Sequence, residues 1–282
     1  MTCENKKKQL PLALAGAVIL SIFLIMAIFA PVLAPYDPHQ RVGLPFSSPS
    51  GGHLLGTNDI GQDIFSELIY GSRLSLGLAV LTALVSTGFG ALLGLVAGFL
   101  GKRVESVIMR CTDFMLVLPF LPLAILLAAM LGQGFFQLVL VISVISWAGT
   151  ARIVRAQVLK VKAKGYIFNL QAIGAGPWYL LRKHIFREVL PLITYHTMLS
   201  ASNAVLIEAS LSFLGLGNPL LKSWGSILYY AQIRNAMLTD SWLWWVIPPG
   251  LSIAFLSAGF LLIGFYLEAY ANPRVERGQI DA

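Results

Sequence analysis

Long uncharged runs alternate with short polar segments along the chain. Residues 9–36 contain no Asp, Glu, Lys or Arg, and neither do 74–101, 114–151, 189–207 or 241–267. A membrane-spanning helix needs about 20 predominantly apolar residues, so each run holds at least one. The third is long enough for two, with Gly132-Gln133-Gly134 as the break between them. The pattern predicts six transmembrane helices, near residues 10–34, 75–100, 112–131, 135–151, 189–207 and 247–269. The fold class is an all-α polytopic membrane protein.

The polar segments are uneven. In 35–74, Pro35, Pro38, Pro45, Pro49, Gly51 and Gly52 oppose regular structure through the first half. Thr57-Asn58-Asp59 then offers N-cap chemistry, and Ile60, Ile64 and Leu68 recur every four residues. That stripe predicts an amphipathic elbow helix on the membrane surface or against the bundle. Within the second span Gly90, Gly94 and Gly98 share one face, which lets a neighbouring helix approach closely. That neighbour is expected within this chain rather than in another subunit. Trp224, Tyr229, Tyr230, Trp242, Trp244 and Trp245 crowd the approach to the last span, as an interfacial aromatic belt does.

Segment 152–188 carries eight basic residues and one acidic residue. Ile153, Val154, Val158 and Val161 form one apolar face, Gly174-Ala175-Gly176-Pro177 reads as a turn, and Leu181, Ile185 and Val189 form a second face. Two short amphipathic helices hinged at Gly174 and lying under the membrane are expected. Anionic lipid is one sufficient partner for such a basic face.

Composition agrees with a membrane protein. Of 282 residues, 57% are hydrophobic and 12% charged, about half the charge of a soluble domain, and mean hydropathy is +0.76. With six spans, the side holding both termini carries 16 of the 20 basic residues, which places the termini in the cytoplasm. The expected layout is a cytoplasmic N-terminus at 1–9, a first span at 10–34 and an extracytoplasmic loop at 35–74. A five-helix core at 75–270 and a cytoplasmic tail at 271–282 follow. The apolar run of the first span exceeds a secretory signal core, so it reads as an uncleaved anchor. Cys3 and Cys111 then face the reducing side. Positive charge spread over four cytoplasmic segments argues against nucleic acid as a partner.

Catalytic chemistry is not suggested. His39, His53, His184 and His196 are scattered without ligand spacing, so no metal site is expected, and no phosphate-cradling glycine loop occurs. Asp113 and Glu208 are the acidic candidates near span ends, too few for an ion-driven carrier. Energy for transport is therefore expected from another subunit.

Four segments carry a family likeness. GTNDIGQDIFSELIYGSRLSL at 56–76 follows the pattern G-T-D-x-x-G-R-D-x-x-S-R-L-x-x-G-x-R-x-S-L. MRCTDFMLVLP at 109–119 contains M-R-x-x-D and a following proline; SWAGTARIVRAQVL lies at 146–159 and EASLSFLGLG at 208–217. Together, in this order, they resemble the inner-membrane permease subunits of ABC importers for dipeptides, oligopeptides and nickel.

The resemblance implies half of a translocation pore working by alternating access in the inner membrane. Its partners would be a second homologous permease, two ABC ATPase subunits that hold ATP and magnesium, and an extracytoplasmic substrate-binding protein. It implies no cofactor in this chain and no enzymatic activity of its own. Segment 152–188 would couple to the ATPase through Phe168, Asn169, Leu170, Ala172, Gly174, Ala175 and His184, with Pro191 also matching. Arg73 and Glu208 are candidates for the outer gate. Two features depart from the family: Phe168-Asn169-Leu170 replaces the usual Glu-Ala-Ala, and Gln62 replaces a common arginine. Peptide is the first expectation for substrate, with nickel or a metal chelate second. An uncoupled channel or scaffold is the further alternative that the Phe168 departure keeps open.

Overall fold

The computed structural model describes residues 3–218 and 220–271. Their regular structure is helical, with two isolated bridges, Arg41–Gln62 and Thr57–Asp63, in the outer segment. The helices are α1 (Cys3–Ile28), α2 (Ala30–Leu33), α3 (Ile64–Leu100), α4 (Lys102–Val117), α5 (Phe120–Leu131), α6 (Phe135–Lys162) and α7 (Gly165–Ala172). After α8 (Pro177–Leu180), one widened turn at Leu181–Ile185 leads into α9 (Phe186–Phe213). Then follow α10 (Trp224–Ile233), α11 (Trp242–Trp245) and α12 (Ile247–Ala271).

Among the described residues, four stretches are long and apolar enough to cross a membrane: Leu10–Ile28, Ile64–Leu100, Phe135–Lys162 and Trp242–Glu268. The bent pair α4–α5 makes a fifth if taken as one span. α9 is as long as α6, but Thr194, His196, Thr197, Ser200, Ser202 and Asn203 dilute its apolar character. Leu14, Val18, Ile22 and Ile25 of α1 are exposed, a band that water would not tolerate and hydrocarbon does.

Element limits differ from the expected ones for local reasons. The elbow is not a separate helix, because α3 runs unbroken from Ile64 into the second span. Asn58 does not cap it. Its Oδ1 accepts from the Ile60 and Gln62 amides at 3.0 and 2.9 Å, closing a turn that Gly61 completes at φ +84°. Asp63 is the cap, accepting from the Ser66 amide at 2.8 Å. The expected third span at 112–131 is broken and bent by 94° between α4 and α5. Pro119 supplies no amide donor, and Leu118 before it is extended.

Segment 152–188 also differs from the two surface helices expected. Val154, Val158 and Val161 belong to a continuous α6 and are fully buried with Ile185 and Val189. α7 is a separate short helix, and α8 runs through the widened turn into α9. The expected tail at 271–282 lies outside the described residues except for Ala271.

The glycine face of α3 receives α6. A Cβ on Gly90 would stand 2.5 Å from the Trp147 carbonyl oxygen, on Gly94 2.6 Å from that of Ala151, and on Gly98 2.7 Å from Val158 Cβ. Such approach gathers dispersion contacts that larger side chains would forbid. On the other side, Ser202 Oγ of α9 lies 2.7 Å from Ser257 Oγ of α12 and donates to the Ser257 carbonyl at 3.1 Å. Arg73 donates from Nε to the Ala27 carbonyl and from Nη2 to that of Ile28 at 3.0 Å, satisfying the open end of α1.

Candidate functional site

Segment 164–188 is built on one anchor and one clamp. Ile167 buries its side chain and holds α7 against the bundle. The Lys164 ammonium and the Tyr166 hydroxyl both donate to the Glu188 carboxylate in the first turn of α9. Partial burial, then the Glu188 carboxylate, pushes the Tyr166 phenol up to about 12, so it remains a donor at neutral pH. The His184 ring packs against Tyr166 and Tyr179, with centroids 5.9 and 5.5 Å away. α7 is thereby fastened to the start of α9.

What α7 and its C-terminal turn present outward mixes large apolar side chains with Asn169 and Gln171. Phe168 is 70% exposed and Ile173 81%, with Asn169 and Ala172 also exposed; Leu170 is half-buried. Gly174 has φ +88°. Its amide donates to the Gln171 carbonyl and the Ala175 amide to that of Leu170, both at 3.0 Å. These two bonds are the αL helix stop that favours glycine. Phe168, Asn169, Ala172 and Gly174 are therefore accessible together, whereas His184 is half-buried behind them. The Tyr166–Glu188–Lys164 clamp was not singled out from the sequence. Its signal was that Glu188 is the one acidic residue in 152–188.

A cavity of about 550 Å³ lies among α3, the α4–α5 bend, α6 and α9. Thr82 and Ser86 line it from α3, Ser146, Gly149 and Thr150 from α6, and His196, Ser200 and Asn203 from α9. The last three are spaced four and three apart, one helix face. They are the same side chains that make α9 too polar to read as an apolar span. The wall offers uncharged donors and acceptors, and Gly149 leaves open space where a Cβ would point.

The outer-gate candidates have separate partners. Arg73 is committed to the end of α1, as described above. Glu208 is 1% exposed and accepts from Ser212 Oγ at 2.8 Å and Ser75 Oγ at 3.5 Å. A node that sequence reading missed joins the outer segment to the bundle instead. Lys222 Nζ donates to Glu67 Oε1 at 2.7 Å and Gln62 Oε1 at 2.9 Å, and Asn58 Nδ2 donates to Glu67 Oε1 at 2.9 Å. Gln62 also donates from Nε2 to the His39 carbonyl at 2.9 Å. A guanidinium at position 62 would face the Lys222 ammonium, so the neutral amide suits this node.

A multi-helix membrane bundle with an open cavity of mixed apolar and uncharged polar lining, and an exposed basic segment at one end, has the features of a membrane permease. Residues 90–277 match the family described as binding-protein-dependent transport system inner membrane component, and the chain belongs to it. Residues 8–48 match the N-terminal TM domain of oligopeptide transport permease C. Among curated relatives, the probable D,D-dipeptide transport system permease protein DdpC of Escherichia coli (strain K12) is 35% identical over 269 residues, 95% of this chain and 89% of that one. The dipeptide transport system permease protein DppC of Bacillus subtilis (strain 168) is 32% identical over 275 residues, 97% of this chain and 85% of that one. The di/tripeptide transport system permease protein DppC of Pseudomonas aeruginosa (strain UCBPP-PA14) is 35% identical over 275 residues, covering 94% and 88%. The chain is an ABC-importer permease subunit of the inner membrane, a component that works with an ATPase and a substrate-binding protein.

Proposed function

We propose that this chain forms half of the translocation pathway of an ATP-driven peptide importer. It pairs with a second homologous permease, docks two ABC ATPases that hold ATP and magnesium, and receives substrate from an extracytoplasmic binding protein. α9 is the sixth span, and both termini are cytoplasmic. Peptide is favoured over nickel because the relatives above are named for dipeptides and tripeptides. The uncharged donors and acceptors set in this largely apolar wall suit backbone amides whatever side chains accompany them.

One observation carries the mechanism: α7 is clamped through Glu188 to α9, the same helix whose polar face lines the cavity. Closure of the ATPases on ATP moves α7. The clamp passes that displacement to the foot of α9, and the cavity changes the side to which it opens. Exposed Phe168 supplies an apolar contact where the family usually places a carboxylate.

The test is Phe168→Ala. This chain should reach the membrane in unchanged amount, while ATPase recovered with the purified complex and ATP-dependent uptake of labelled dipeptide both fall at least tenfold, about 1.4 kcal/mol of coupling. Full ATPase recovery with normal uptake would remove α7 from the coupling route.

A further inference from the structure

We propose that the junction of α3 with α8 and α9 is a binding site for one anionic phospholipid. Two adjoining hollows share Trp178 and Arg182. The first, about 430 Å³, has apolar walls from the C-terminal end of α3, including Leu95 and Phe99, and from Leu181 and Phe186 across the gap. The second, about 470 Å³, is bounded by Trp178, Tyr179, Arg182, Lys183 and Arg187. A hydrocarbon slot that opens directly into a cationic cup matches one acyl chain joined to one phosphate.

Charge separates this cup from the rest of the basic segment. Arg152 pairs with Asp113, Arg155 with Glu105 and Lys164 with Glu188. Among the described residues, Arg182, Lys183 and Arg187 have no carboxylate partner, and Lys183 lies 5.0 Å from the Tyr179 ring centroid. Three uncompensated cations therefore face one hollow. The α3 wall ends just before Lys102 and Arg103, the expected depth of the cytoplasmic headgroups. Arginine stems lie along apolar surface with their charge at that level, and Trp178, 70% exposed, suits the same layer. An acidic protein segment would satisfy the cations and leave the hydrocarbon slot unused. A lipid fills both. Bound there, it bridges α3 to the foot of α9 beside the Glu188 clamp.

The experiment uses the intact transporter complex in nanodiscs. A phosphatidylglycerol with a photoactivatable acyl chain is compared with phosphatidylcholine carrying the same chain. Crosslinks of the phosphatidylglycerol probe should map to residues 92–100 and 178–186, competed by unlabelled phosphatidylglycerol and not by phosphatidylcholine or glycerol phosphate. The variant R182Q/K183Q/R187Q should lose about fivefold in this preference per cation removed. Leu95→Trp should lower the crosslinks by filling the slot with the cations intact. Equal labelling by both lipids in the wild-type complex overturns the proposal and needs no variant. Unchanged lipid preference in the triple variant, with ATPase lost from the complex, assigns the cup to a protein partner and overturns it equally.

Discussion

Glu67 and Lys222, 155 residues apart, meet at 2.7 Å with 2% and 10% of their side chains exposed. Their pairing pins the outer segment to the bundle, and Asn58 and Gln62 complete the partners of both charges. Removing one member of a buried pair strands the other, at a cost of about 3–5 kcal/mol. Lys222→Met should therefore lower the melting temperature of the solubilised complex markedly. The double variant Glu67→Gln with Lys222→Met should recover most of it, since the amide retains a bond to Asn58. Equal melting temperatures for Lys222→Met and wild type would show that the pair does not hold the segment.

The α3–α6 contact gives a position-specific prediction along one helix. Gly94→Ala places a methyl 2.6 Å from the Ala151 carbonyl oxygen, whereas a Cβ at Gly88 meets nothing within 4 Å. Gly94→Ala should cost about 1–3 kcal/mol by forcing the helices apart. Gly88→Ala should be neutral or stabilise by up to about 1 kcal/mol through helix propensity. Thermal unfolding of the two variants in one detergent distinguishes them, and equal loss in both would refute the close-packing account.

Gly174 and Gly176 make a similar pair in the coupling turn. Gly174 sits at φ +88° with no atom near its missing Cβ, so strain rather than collision limits substitution there. Gly176, at φ −64° and ψ 151°, has a conformation that alanine adopts freely. Gly174→Ala should cost roughly 1–2 kcal/mol in the turn and reduce ATP-dependent dipeptide uptake. Gly176→Ala should transport within experimental error of wild type. Matching uptake in both variants would mean that the helix stop after α7 does not govern coupling.

Features carried by a local run of residues were legible in the sequence; those made by distant partners were not. The uncharged runs gave α1, α6 and α12 to within a few turns, because hydrophobic length is a local property. The glycine spacing marked a close-packing face, although nothing local named α6 as its occupant. α3 was cut too short because Glu67 and Arg73 precede the uncharged run, so the stripe before it read as a separate elbow, while the real boundary depends on Asn58 and Gly61 closing a turn. Pro119 was visible, yet hydropathy alone carried a straight span through it. The Glu67–Lys222 node joins positions 155 residues apart, and no pattern around either signals the other; the Glu188 clamp lies within one segment, where a single acidic residue among eight basic ones was its one signal. The cavity face of α9 was hidden differently. His196 read as one of four scattered histidines and Ser200 and Asn203 drew no reading, whereas the structure sets all three on one cavity-lining face.

That face leads to a direct test of the pathway. Gly149 lines the cavity from α6 and has no heavy atom within 4 Å of its missing Cβ. A helix-interior glycine with free space is a site where a larger side chain relieves backbone entropy. Gly149→Ala should stabilise the protein by up to about 1 kcal/mol and leave uptake intact. Gly149→Phe keeps that helical benefit but projects an aromatic ring into a space of about 550 Å³. It should insert, assemble and hydrolyse ATP while dipeptide uptake falls at least tenfold. Recovery of the second permease and the ATPases with the purified variant separates a blocked pathway from a broken complex. Wild-type uptake by an assembled Gly149→Phe complex would place the route elsewhere and reduce the cavity to a packing defect between α6 and α9.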